Sequence, residues 1–129
     1  MVYCTVNDVR DILPEYVLEA LTDDSTSGGE RTIDESKIND AIEWASRIVD
    51  AKIGRRYKTP LATVPEVIKE ITVDLTIYRL YARLELDPLP EEKYKHAMEL
   101  LQAIADGAVL LDVPQRERIK VKYTDEEEW

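Results

Sequence analysis

Two stretches of helical periodicity, joined by a basic elbow punctuated with glycine and proline, constrain this chain more than anything else in it. The first ends in IVDAKIGRRYKTPL, residues 48–61, and the second contains ITVDLTIYRLYARL, residues 71–84. In the first, Ile38, Ala41, Ile42, Ala45, Ile48, Val49 and Ile53 recur at i, i+3, i+4, i+7 spacing. That is one face of a helix of about 20 residues, roughly 30 Å long. Trp44 falls at the edge of the stripe, Gly54 stands where a C-terminal cap belongs, and Lys52, Arg55 and Arg56 suit the negative end of the helix dipole.

The second helix opens at Val64-Pro65-Glu66, with Pro65 in its first turn. Val67, Ile68, Ile71, Leu75, Tyr78 and Ala82 form one stripe, while Val73, Ile77, Leu80, Tyr81 and Leu84 make much of the remaining surface apolar. A helix apolar on most sides is either central in a bundle or buried against another subunit.

Around this pair the other elements are shorter. Thr5 and Asp8 read as a capping-box variant before Val6, Val9, Ile12 and Leu13, and Pro14 breaks that run and starts a second short helix, residues 15–21. Residues 22–32, TDDSTSGGERT, have no periodicity and read as a loop. Asp87-Pro88-Leu89-Pro90 stops the second long helix; Pro90 with Glu91 and Glu92 begins a third, with Tyr94, Ala97, Met98, Leu101 and either Ile104 or Ala105 as its stripe and Gly107 closing it. Residues 108–114 read as an irregular apolar connector. Residues 118–123, RIKVKY, alternate strictly, with Ile119, Val121 and Tyr123 on one face of a strand. An acidic tail follows and ends in Trp129. The strand needs a partner, from residues 2–5 or from a neighbouring molecule, unless the terminus is unordered.

These elements predict an all-α domain, a small bundle of four to five helices with two long central ones, over residues 1–114. A C-terminal β-strand or extended tail occupies residues 115–129. At 129 residues the chain holds one core and not two. Cys4 is its single cysteine, so no intrachain disulfide and no cysteine-based metal site is expected, and a reducing intracellular setting is the default. No long apolar run or N-terminal leader pattern points to a membrane.

The formal charge of −10 is unevenly spread. Residues 1–36 carry nine acids against two bases, residues 37–83 six against nine, and residues 84–129 twelve against six. A net acidic chain is poorly suited to gripping phosphates. The basic elbow, Lys52, Arg55, Arg56 and Lys58 around Tyr57, still has the look of a small nucleic-acid patch, set against the structural reading of cations at a helix end.

Catalytic chemistry has no constellation to work with. His96, the single histidine, sits at the solvent edge of its helix. SGGE follows no strand and lacks the Lys-Ser/Thr of a phosphate loop. Asp23 and Asp24 are adjacent acids without further ligand spacing, which reads as a solvated loop before it reads as a hard-metal site. No catalytic, cofactor-binding or metal-ligating residue is assigned. Asp74 is the odd member of the second long helix, since a bare carboxylate on an apolar face costs several kcal/mol, on the order expected for a buried charge. A pair between Asp74 and Arg56, fixing the crossing of the long helices, is one expectation; a solvent-facing Asp74 is the other.

The order of elements resembles the small head–tail connector (adaptor, head-completion) proteins of tailed phages and prophages, the Mu-like group in particular. The likeness rests on Tyr3, Thr5, Asp8 and Val9 at the start, and on Leu21, Thr22 and Asp23 before the loop. It continues through Val49, Asp50, Ile53, Arg56, Tyr57, Pro60 and Leu61, then Asp74, Leu75, Tyr78, Leu80 and Tyr81, and finally Tyr94, Ala97, Leu101, Ile104 and Gly107. The resemblance supplies no pattern for residues 118–129, whose role it leaves open. The resemblance implies a non-enzymatic virion protein, present in the host cytoplasm before assembly. It implies a homo-oligomeric ring between a portal protein and a tail-completion protein, with DNA passing nearby but not read. Asp50, Arg56, Tyr57, Asp74, Tyr78 and Tyr81 are the candidate architectural and interface residues, and Ile119, Val121, Tyr123 and Trp129 the candidate partner contacts. The rival readings are a nucleic-acid-binding regulator using the elbow, and a small enzyme built on Asp23 and Asp24.

Overall fold

A computed structural model of the chain describes residues 1–25 and 29–116. Five helices follow in order: α1 (Val6–Arg10), α2 (Glu15–Thr22), α3 (Glu35–Ile53), α4 (Glu66–Ala82) and α5 (Glu91–Asp106). Among the described residues there is no strand, only an isolated antiparallel bridge between Tyr57 and Gln115. The expected strand at 118–123, and with it Ile119, Val121, Tyr123 and Trp129, lies outside the described residues.

Local chemistry sets the helix boundaries. Thr5 caps α1 by accepting from the Asp8 N–H, while the Asp8 carboxylate accepts from the Thr5 N–H, a reciprocal capping box. Asp34 caps α3 through the Ser36 N–H. Pro14, Pro65 and Pro90 each stand at the N-cap of α2, α4 and α5, one residue ahead of the positions expected for them. Gly107 ends α5 with φ 85°, and the Ala108 N–H reaches back to the Ala103 carbonyl at 2.9 Å. Gly54 caps α3 as expected, but its backbone is right-handed. The chain instead tightens beyond it, and the Arg56 and Tyr57 N–H groups both donate to the Ile53 carbonyl.

α3 and α4 run side by side and carry two apolar clusters between them. Towards the elbow, Val49 and Ile53 of α3 and Ile68, Ile71 and Leu75 of α4 pack with Leu101 and Ile104 of α5. Towards the other end, Ile38 and Ile42 of α3 and Val73, Ile77 and Leu80 of α4 are covered by Val9, Leu18 and Leu21 from α1 and α2. Each aliphatic side chain buried in this way contributes about 1.5–3 kcal/mol.

α4 is therefore the central helix, and its apolar circumference is spent within one molecule. Ile71, Val73, Leu75, Ile77 and Leu80 are all buried; Tyr78, Tyr81 and Leu84 are half-covered. The alternative of a broad face held for another subunit does not apply to this helix. Thr72 and Thr76 lie buried on it as well, each donating its hydroxyl to the carbonyl four residues back at 2.7 Å, so neither leaves a polar group unpaired.

Tyr57 anchors the elbow. Its ring is fully buried, and its hydroxyl accepts from the Leu111 N–H at 2.9 Å, holding the segment after α5 against the core. Tyr57→Phe keeps the ring and strands that buried N–H, and should lower stability by about 1–3 kcal/mol in urea unfolding with an unchanged m-value. An unaltered midpoint would show that water replaces the hydroxyl.

Candidate interface surfaces

The residues singled out from the sequence fall at four places on this frame. Asp50 lies on α3, and the Tyr3 hydroxyl donates to it. The same hydroxyl accepts from the Leu61 N–H at 2.8 Å, while the Tyr3 N–H donates to Ser46 Oγ at 3.1 Å. Burial, then the bond to the Asp50 carboxylate, pushes the Tyr3 phenol up to about 12. Asp50 thus ties the N-terminal segment to α3 and the elbow. Tyr3 was legible as an aromatic at the start of a motif, but its bridging role depends on contacts over 40 residues away in sequence.

Arg56 is turned towards α5. Its Nε donates to the Ala105 carbonyl at 3.1 Å and its Nη1 to Gln115 Oε1 at 3.4 Å, while the Arg116 N–H donates to the Arg56 carbonyl at 2.7 Å. The guanidinium fills the space beside Gly107, where a Cβ would come within 2.7 Å of its Cζ. Arg55, Arg56, Asp106 and Arg116 line a basic groove at this end of the bundle. Arg56 does not pair with Asp74. The cation serves an orphan carbonyl at the α5 terminus, and Asp74 lies two turns into α4 facing other groups.

Asp74 is half-buried, near Lys93, His96 and Glu70. Desolvation raises its pKa, with Lys93 and His96 opposing and Glu70 reinforcing the shift. It forms no salt bridge among the described residues, and it lines a groove between α1 and α4 with Ile12 and Val73. The groove's remaining rim is Asp8, Asp11, Glu66, Glu70, Lys69 and Lys93, giving five carboxylates against two lysines with Asp74 counted. Lys69 meets Glu66 at 3.3 Å and Asp8 at 3.8 Å.

Tyr78 stacks on Tyr94 with centroids 4.0 Å apart, binding α4 to α5, and Tyr81 packs on the cluster beneath α1 and α2. His96 is exposed, as its place in the helix predicts. Asp23 accepts from the Ser25 and Thr32 N–H groups at 2.9 Å, which holds its carboxyl below the usual range. Asp24 takes Arg83 at 2.6 Å and Lys37 at 3.4 Å, and Arg83 also donates to the Leu21 carbonyl. These two acids organise a loop and the end of α2. Sequence reasoning placed Trp44 at a helix edge but missed Arg79 above its ring, 4.9 Å from the centroid. No local signal joins those two positions.

Because the fold raises the Asp74 pKa above its unfolded value, the folded chain binds that proton more tightly, and stability falls as pH rises through the ordinary aspartate range. Asp74→Asn should raise the melting temperature at pH 7, with the gain vanishing as pH drops below that range. A midpoint unmoved at pH 7 would make Asp74 a plain solvated acid. Arg56→Ala should cost about 1 kcal/mol through the α5 terminus and leave the Asp74 titration in place.

Among the described residues no helix is long and apolar enough to cross a membrane. Compared with known proteins, the chain matches the family described as Bacteriophage Mu, Gp36 over residues 3–126. A relative, the Mu-like prophage FluMu protein gp36 of Haemophilus influenzae (strain ATCC 51907 / DSM 11121 / KW20 / Rd), is 29% identical over 102 residues, which is 79% of this chain and 72% of that protein. Nearly the whole length is matched, from Tyr3 in the core through the elbow and all five helices, and the chain belongs to the bacteriophage Mu Gp36 family.

Proposed function

We propose that this protein is a non-enzymatic structural component of the virion, a head–tail connector that assembles as a ring between portal and tail in a Mu-like phage or prophage. Membership of the Mu Gp36 family over residues 3–126 carries the reading. The motif residues resembling head–tail connectors add to it, since those at the elbow and on α4 are ones the fold uses. In this reading a portal protein and a tail-completion protein are its neighbours, and the host cytoplasm holds it before assembly.

The rival, a nucleic-acid-binding regulator working through the elbow, loses most of its binding groups. Tyr57 is fully buried, Arg56 is committed to Ala105 and Gln115, and Lys52 lies 3.4 Å from Gln102 Oε1. Arg55 and Lys58 alone among the elbow cations stay exposed. Two cations on a chain of charge −10 make a weak phosphate grip.

A phage lacking this protein should accumulate filled heads and free tails that do not join, and electron microscopy of the concentrated protein should show annular particles. Infectious, fully joined particles made without the protein would overturn the reading. A salt-sensitive gel shift with duplex DNA would favour the rival.

A further inference from the structure

The apolar faces of α4 are covered within one molecule, so contact between copies has to use other surface. Among the described residues Leu110, 64% exposed, is the most exposed large aliphatic side chain beyond Met1, and Val109 beside it is 37% exposed. They stand on a turn that is held firmly. Gly107 sets its entry, the Val109 N–H donates to the Ala103 carbonyl, and the Leu111 N–H is fixed on the Tyr57 hydroxyl. Gln115 and Arg116, at the end of the same segment, are fastened to Tyr57 and Arg56. A projecting apolar pair on a preorganised backbone loses little entropy when it docks. The groove at the foot of the same segment carries Arg55, Arg56 and Arg116 against Asp106, and Asp112 adds one exposed acid beside the turn.

The groove between α1 and α4 has the opposite character. Ile12, 54% exposed, and Val73 give it an apolar floor, and five carboxylates against two lysines make its rim acidic. Asp74 sits there half-buried, with no ion pair among the described residues.

We propose that the turn carrying Val109 and Leu110 in one copy seats in the groove between α1 and α4 of the next copy, with Arg55 and Arg116 meeting the acidic rim. This deepens the connector reading and rests on it. The two surfaces are different patches of one molecule, so the contact is heterologous: each copy offers a turn to one neighbour and a groove to the other. Such a contact propagates, and it makes a ring where the rotation closes. Opposite charge on the two surfaces sets the register and disfavours turn-to-turn or groove-to-groove pairing.

The test uses the full chain with Ile12→Cys and Leu110→Cys, singly and together, and a short bismaleimide cross-linker at high protein concentration. Both positions are exposed, so the fold tolerates the changes. Cys4 stays, because it is buried with its thiol pushed up to about 11 and is a poor target. The double variant should give a ladder through trimers and beyond. A mixture of the two single variants should stop at dimers, and each single variant alone should give none. In sedimentation, Leu110→Asp should weaken self-association at least tenfold.

Dimers from one single variant alone would mean a symmetric contact and overturn the proposal. Oligomers in sedimentation without cross-links would overturn this contact while leaving a ring by other surfaces. A monomer at every concentration, with no cross-links, would overturn it too; the connector reading would then stand or fall on the head-joining phenotype of the phage lacking the protein.

Discussion

α4 leaves little more than the strip of Glu66, Glu70 and Asp74, with Arg79, to face water, and the rest of the chain is arranged around that constraint. Its seventeen residues bury side chains on more than one face, so one neighbouring helix cannot cover it. α3 takes the longest contact, α5 closes the half nearest the elbow, and α1 with α2 close the other half. The threonines that interrupt the apolar surface return their hydroxyls to the helix's own backbone, so neither brings an unpaired hydroxyl into the core. A small domain achieves this only by committing every element to a single helix.

The polar groups that enter the core are those that fasten the connections. Tyr3 and Tyr57 each carry a ring into the elbow cluster and a hydroxyl to a backbone N–H of a segment without regular structure, Leu61 in one case and Leu111 in the other. Two tyrosines thereby convert loops into defined surface. The turn after α5 owes its shape to this, and so does the basic groove beside it.

The helices were legible because their signals are local. Stripe spacing, the capping box at Thr5 and Asp8, the prolines ahead of α2, α4 and α5, and Gly107 at the end of α5 each act within a few residues. The centrality of α4 was legible only as one of two options, because an apolar circumference says that a helix must be covered and not by whom. The expected pair between Asp74 and Arg56 failed for a similar reason. Opposite charges on two neighbouring helices are necessary for a pair, but rotation about the helix axes decides which groups meet. Arg56 had a nearer claim, an unpaired carbonyl at the α5 terminus. Tyr78 was picked out without its stacking partner Tyr94, and Asp50 without Tyr3, since nothing in a linear pattern specifies register between helices.

The clasp formed by Arg83 with Asp24 and the Leu21 carbonyl bears on how the molecule comes apart. α1 and α2, at five and eight residues, are too short to persist as isolated helices, and beyond the capping box of α1 their order comes from leaning on α3 and α4. That single guanidinium bolts the far end of α2 to the end of α4. On length alone the N-terminal pair is the part of the fold expected to open at lower free energy than the three long helices need to separate. Amide protons there would exchange on a faster clock than those along α4, giving a protein of two tiers of rigidity inside one small core.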